Sequence, residues 1–204
     1  MIIGAVVLAA GKSERMGQNK LFLNLNGKSL IDNILDAVAA AGVDEQVIVL
    51  GDKPERVIEA IKPRLRTLKI TLNEDHKQGM TSSFQKGLQM LPHVDAAFLV
   101  LGDEPIFDPN LLKIMVQQME NSQGKMLIVS PIHKGKKGHP LLFHRQLFKE
   151  ILNLKNTQTI REIVHRYADR LLTIEAPQWT IMDIDTPEDY ARISGLIKTG
   201  NWVL

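Results

Sequence analysis

The chain of 204 residues contains no cysteine. That absence excludes a disulfide framework, a thiolate metal site and a cysteine nucleophile, and it fits a reducing compartment. Charge of one sign is also lacking. Lys and Arg number 25 against 23 Asp and Glu, and a balance of +2 is too small to hold nucleic acid or a membrane surface. No apolar stretch approaches the roughly 20 residues of a membrane span. The opening run Met1–Gly11 is apolar, but no basic segment precedes it and it ends in Lys12-Ser13-Glu14-Arg15. It therefore reads as a buried first strand, not a secretory signal. The expectation is a cytoplasmic protein with neither nucleic acid nor membrane among its partners. The six histidines do not recur at metal-ligand spacing, which argues against zinc. His76, His93, His133, His144 and His165 read as surface or structural; His139, inside Gly138-His139-Pro140, stands apart. Trp179 and Trp202 carry no functional signal.

What is present is alternation. Short apolar, β-branched runs at Ile2–Leu8, Gln46–Leu50, Leu68–Leu72, Ala96–Leu101 and Met126–Ser130 have the pattern of strands buried on both faces. Between them, apolar residues recur at three- and four-residue spacing: Leu30, Ile31, Ile34, Leu35 and Val38; Val57, Ile58 and Ile61; Phe84, Leu88 and Leu91; Leu111, Leu112, Met115, Val116 and Met119. Strands alternating with helices predict an α/β sheet with right-handed crossovers. The regularity breaks after residue 131. Lys134–Pro140 reads as a polar loop, Leu141–Phe143 as a short strand, and Arg145–Leu152 and Gln158–Tyr167 as helices. The chain then returns through Leu171–Ile174 and Ile181–Ile184 to a last helix from Pro187. The whole of 1–204 reads as one domain, with 131–170 as a small excursion beside the sheet.

Four segments carry chemistry. The first strand runs into a long loop, Leu8-Ala9-Ala10-Gly11 followed by Ser13, Arg15 and Lys20. Small residues let backbone approach a ligand closely, and Arg and Lys beside them suit a triphosphate. Such a loop also lies where ligands bind in a parallel α/β sheet. Neither G-x-G-x-x-G nor a P-loop is present. In Leu101-Gly102-Asp103-Glu104-Pro105 a strand delivers Asp103 at its carboxyl end, a placement that suits a magnesium ligand beside substrate phosphates. In Asp183-Ile184-Asp185-Thr186-Pro187-Glu188-Asp189 the first two aspartates alternate on extended chain and point the same way, so either can be the second metal carboxylate. Glu188 and Asp189 fit the first turn of a capped helix. Gly79-Met80-Thr81-Ser82-Ser83 places hydroxyls at a helix start, where capping needs one and a ribose or base could use the others.

These segments, in this order, resemble the molybdenum cofactor nucleotidyltransferases, within the GT-A-like nucleotidyltransferases. The family's opening L-A-[AG]-G-x-S-x-R-M-G-x-x-K is met by Leu8, Ala9, Ala10, Gly11, Ser13, Arg15, Met16, Gly17 and Lys20, and the likeness continues through Leu101–Pro105 and Asp183–Asp189. Ala10, Gly79–Ser83 and Gly138–Pro140 look like the branch that joins CMP to molybdopterin; the GMP-joining branch has a second Gly at the place of Ala10. One departure is Glu104, where that branch carries Gln; it adds negative charge beside Asp103 and bears on the acceptor.

The resemblance implies a three-layer αβα fold with a mixed, mostly parallel sheet of about seven strands. It implies transfer of CMP from CTP to molybdenum cofactor with release of pyrophosphate, using Mg2+ or Mn2+. Arg15, Lys20 and Asp103 would be catalytic. Leu8, Ala9, Ala10, Gly11, Ser13, Arg15, Lys20, Gly79, Ser82, Ser83, Gly102 and Asp103 would hold the nucleotide, and Gly138, His139 and Pro140 the acceptor. Asp103 with Asp185 or Asp183 would hold the metal. A recipient such as an apo-molybdenum hydroxylase would follow. The alternatives are GTP as donor, another acceptor such as an isoprenoid precursor, or a chaperone that carries molybdenum cofactor to an apo-oxidoreductase.

Overall fold

The computed structural model describes residues 1–11, 16–17, 19–51, 54–106 and 108–199. Its strands are β1 (Ile3–Ala9), β2 (Asn24–Leu25), β3 (Lys28–Ser29), β4 (Glu45–Leu50), β5 (Leu68–Leu72), β6 (Ala96–Leu101), β7 (Ile128–His133), β8 (Lys136–Lys137), β9 (Leu141–His144) and β10 (Leu171–Glu175). Its helices are α1 (Leu30–Ala40), α2 (Glu55–Ile61), α3 (Met80–Gln89), α4 (Asn110–Asn121), α5 (Phe148–Leu152), α6 (Ile160–Arg166) and α7 (Pro187–Thr199). The main sheet runs in the order β10-β7-β9-β6-β1-β4-β5, with β8 paired to β7. Strands β5, β4, β1 and β6 are parallel neighbours, and β10 is parallel to β7. Among the described residues of this main sheet, β9, wedged between β6 and β7, and the short β8 run against their neighbours.

The side-chain alternation of each strand builds two cores. Ala5 and Val7 of β1 join Ile48 of β4, Phe98 and Val100 of β6, and the apolar faces of α1, α2 and α4, together with Ile193 of α7. Val6, Val47, Val49, Ala97 and Leu99 point the other way, onto Phe84 and Leu88 of α3, Ile151 of α5, and Ile160 and Ile163 of α6. This is a three-layer αβα fold, and the period of two in the strands creates it. On the second face the Phe84 and Phe143 rings meet in a tilted pair with centroids 5.6 Å apart, a geometry worth about 0.5–1.5 kcal/mol beyond area burial.

Several boundaries and one region differ from the sequence expectation. Leu141–Phe143 lies inside the sheet, not beside it, because its apolar side chains are needed on both faces between β6 and β7. Lys134–Pro140 is not an open loop. Lys134 and Gly135, with φ of 49° and 84°, make the two-residue turn of a hairpin whose second arm is β8. The Ile181–Ile184 return is a 3-10 turn over Gln178–Ile181 followed by extended chain. Arg145–Leu152 begins as a 3-10 turn before α5. Asn26 and Gly27 close a second hairpin, β2–β3, that the apolar patterning gave no sign of.

Candidate functional site

A cleft of about 280 Å³ opens at the carboxyl ends of β1 and β6. Leu8, Ala9, Ala10 and Gly11 line it from the end of β1, and Gly102 and Asp103 from the end of β6. Lys20 enters from a 3-10 turn (Lys20–Phe22), and Gly79 and Ser83 from the start of α3. Ser13 and Arg15 lie outside the described residues. Gly102 explains why the two strand ends stay together. Its N–H bonds the Leu8 carbonyl at 2.9 Å, and a Cβ there would sit 2.5 Å from that same oxygen. The chain can therefore turn Asp103 over the end of β1 only if residue 102 has no side chain.

The charged end of the cleft is a three-membered cluster. Lys20 Nζ donates to Asp103 Oδ2 at 2.6 Å and to Asp185 Oδ1 at 3.1 Å. The three side chains are 12 %, 30 % and 24 % exposed, so the cluster is shielded but reachable. Burial works against the ammonium charge, yet the two carboxylates hold the Lys20 pKa above its ordinary value. Sequence-distant Asp185 is delivered by a backbone bond: the Ile184 N–H donates to the Asp103 carbonyl at 3.0 Å, while the Ile184 side chain is fully buried. Asp183 is exposed and lies close enough to Glu104 to push on its titration. Glu188 and Asp189 sit in the first turn of α7. Asp189 accepts from the Thr186 N–H and hydroxyl, as a helix-terminus acid should.

No group of three His, Cys, Asp or Glu among the described residues forms a closed metal cage. Two carboxylates that converge on one cation do fit a magnesium-type ion, which keeps one or two protein oxygens and takes the rest of its shell from phosphates and water. Here the Lys20 ammonium stands where such a cation would be shared.

The hydroxyls at the start of α3 are committed to protein partners. Asn73, buried and held by its N–H on the Leu50 carbonyl, donates through Nδ2 to Ser82 Oγ at 3.0 Å and to Ser83 Oγ at 2.9 Å. Thr81 Oγ1 accepts from the Ile160 N–H at the start of α6. Of the three, Ser83 is the one that lines the cleft.

On the far side of β6, His139 Nδ1 lies 3.1 Å from Glu104 Oε1. Burial pushes the Glu104 carboxyl above its ordinary range against the opposing pull of His139, and Glu104 Oε2 is buried without a hydrogen-bond partner. The peptide bond between His139 and Pro140 is cis. Gly138 serves packing: a Cβ there would lie against the Thr180 carbonyl, to which the His139 N–H also donates at 2.9 Å. Lys134, Lys136 and Lys137 are exposed at the hairpin tip.

A family model described as the MobA-like NTP transferase domain matches residues 5–171, from β1 into β10. The chain belongs to the MobA-like NTP transferase family. Among its relatives are a probable molybdenum cofactor guanylyltransferase of Natranaerobius thermophilus, 24 % identical with 92 % of each chain covered, and the molybdenum cofactor cytidylyltransferase of Escherichia coli, 26 % identical over 92 % of this chain and 93 % of that one. A nucleotidyl transferase structure from Methanothermobacter thermautotroptrophicus superposes with a TM-score of 0.80 at 25 % identity, covering 98 % of this chain and 99 % of that one. The protein is a nucleotidyltransferase with the GT-A-like fold, and the cleft at the ends of β1 and β6 sits where an open α/β sheet takes its ligands.

Four residues that line this cleft had no role in the sequence: Leu21 and His76, which stand outside the motif segments, and Met80 and Leu101, which stand inside them. Leu21 is the apolar neighbour of Lys20, and Leu101 and Met80 are the apolar members of their segments. His76 looked structural because a lone histidine without ligand spacing carries no signal. Its place after the end of β5, three residues before Gly79, is the clue that was available.

Proposed function

We propose that the protein transfers CMP from CTP to molybdenum cofactor and releases pyrophosphate. The observation that carries the reading is the Lys20–Asp103–Asp185 cluster at one end of a cleft floored by the small residues of Leu8–Gly11. A terminal phosphate of the acceptor attacks the α-phosphorus in line, and the bond to the bridging oxygen of pyrophosphate breaks. Such a reaction needs little covalent work from the protein; positioning and charge neutralisation do most of it. Lys20 leaves its carboxylates for the triphosphate, helped by Arg15, while Gly11 permits close approach of the phosphates. Asp103 and Asp185 would hold Mg2+ or Mn2+, which would neutralise charge on the phosphate oxygens. Asp185 is preferred to Asp183 because it shares a cation with Asp103. Cytosine as the base rests on Ala10 and Gly79–Ser83. GTP is the second reading, since the guanylyltransferase relative is nearly as similar as the cytidylyltransferase one.

The test is pyrophosphate release with each of the four NTPs and Mg2+, with and without molybdopterin. Release that needs both CTP and the acceptor is the expected result. A folded Asp103→Asn variant should lose about 10²-fold or more in kcat, the scale for a key electrostatic group. Higher kcat/KM with GTP would overturn the base assignment and leave nucleotidyl transfer standing. Release with an isoprenoid acceptor instead would replace the acceptor. Tight molybdopterin binding without any release would favour a carrier that serves an apo-molybdenum hydroxylase.

A further inference from the structure

One cleft residue is left without a task by the reading above. His76 stands in a 3-10 turn (His76–Gln78) after the end of β5, and it lines the same cleft as Lys20 and Asp103. Its Nδ1 lies 3.2 Å from the Asn73 carbonyl oxygen. A carbonyl only accepts, so Nδ1 carries the proton and donates, and in the neutral ring Nε2 is left as a bare lone pair. That Nε2 is buried and has no hydrogen-bond partner. A closed-off acceptor without a donor is disfavoured in a folded protein and calls for an explanation.

The strand order says which part of a nucleotide would meet it. Asp103 follows β6 on one flank of β1, whereas His76 follows β5, beyond β4 on the other flank. A nucleotide whose phosphates reach the Lys20–Asp103–Asp185 end must therefore direct its base toward His76 and the start of α3. Met80, also on the cleft, is 40 % exposed, an apolar side chain that the face of a base would cover. Because Nε2 has no exposed surface, an entering base must displace a neighbour to reach it. The unbranched, adaptable Met80 is the cleft-lining side chain suited to give way.

We propose that His76 is a base-reading residue whose Nε2 accepts a hydrogen bond from the exocyclic amino group of a 4-aminopyrimidine. It would thereby select cytosine over uracil. Uracil presents a carbonyl oxygen at that edge, so two acceptors would face each other. The Asn73 carbonyl acts through His76: by fixing the proton on Nδ1 it keeps Nε2 an acceptor. The inference rests on the proposed CTP reading and sharpens it.

The test is calorimetric binding of CTP, UTP and GTP with Mg2+, without acceptor, to the full chain and to His76→Phe and His76→Gln. Phe keeps a flat ring and removes the acceptor; Gln restores an oxygen near the place of Nε2. Wild type should prefer CTP to UTP by about tenfold, the scale of one good hydrogen bond. In a folded His76→Phe variant that preference should fall to within about twofold through weaker CTP binding, with UTP little changed. His76→Gln should recover part of it. A purely structural role for His76 would weaken both pyrimidine nucleotides together and leave their ratio alone. An unchanged ratio in His76→Phe, or equal binding of CTP and UTP by wild type, would overturn the role of His76. Tighter GTP than CTP binding by wild type would instead overturn the donor assignment, and the cytosine contact with it.

Discussion

Glu104 is a side chain whose surroundings fit its charge poorly. It is 16 % exposed, one of its oxygens is buried without a partner, and burial raises its pKa above the usual carboxylate value. A folded-state pKa raised above the unfolded one means that the folded protein keeps the proton longer as pH rises. The contribution to stability is then full below the unfolded value near 4.5 and is lost as pH climbs through the higher folded value. Above that, a charged carboxylate sits in a site that desolvates it. Glu104→Gln removes the charge at every pH and keeps a carbonyl oxygen for His139 Nδ1. The variant should therefore be more stable than wild type at pH 8, because the desolvated charge is gone while the polar group that replaces Oε2 stays as poorly partnered as before. The gain should shrink toward pH 5. Thermal melts of both proteins across that range check it, and a gain that grows toward acid would contradict the burial argument. Glu104 was visible in the sequence as an added negative charge beside Asp103. Its contact with His139 was not, since 35 positions separate the two.

The elements were legible to the degree that their residues repeat. Strands β1 and β6 are continuous apolar runs, β4 becomes one after Glu45-Gln46, and β5 alternates apolar residues with Lys69 and Thr71; α1, α3 and α4 carry apolar stripes, so the existence and order of these elements followed from periodicity. Less legible were the place of β9, which was read as a strand but pairs far away in sequence, and the β2–β3 hairpin, which turn residues mark instead of apolar patterning. β9 is four residues long and finds its place only by pairing with β6 and β7. The β2–β3 hairpin has two residues in each arm, but Asn26-Gly27 is a strong two-residue turn signal and would have located it. In the candidate site, the strand-end residues were legible because the chemistry attaches to strand ends. The internal bonds of the α3 hydroxyls were not, since their hub, Asn73, stands nine and ten positions away. Packing between elements also makes a prediction. Gly102→Ala puts a methyl group 2.5 Å from the Leu8 carbonyl oxygen, and that oxygen belongs to a strand paired on both sides. The end of β6 must then move instead, and Asp103 with it. A stability loss of about 1–3 kcal/mol, typical of overpacking, should accompany a larger loss of turnover. Melting temperature and kcat measured on one preparation separate the two, and unchanged turnover would show that Asp103 holds its place without the close contact.

Across the whole molecule, the sheet distributes the proposed substrates. The cleft proposed to hold the nucleotide lies over the ends of β6 and β1 and reaches the turn that follows β5. β9 runs against β6 with Leu141 opposite Leu99, so its beginning lies at the same end of the sheet. His139 and Pro140, just before β9, therefore flank Asp103 from the side away from β1. An acceptor that attacks in line needs access from a flank the triphosphate does not fill, and this arrangement supplies one. Within Lys134–Pro140 the separate parts differ in what they can offer. The lysines are exposed on the hairpin tip, Gly138 is packed on Thr180, and the His139 imidazole is 25 % exposed beside Glu104. If acceptor binding resides here, it resides in His139. His139→Ala should raise KM for molybdenum cofactor several-fold and leave KM for CTP within about twofold, because removing a contact common to ground and transition states raises that KM alone. Steady-state kinetics with each substrate varied in turn makes the measurement. A variant with both KM values unchanged, or with only the CTP value raised, would move the acceptor to another flank of the cleft.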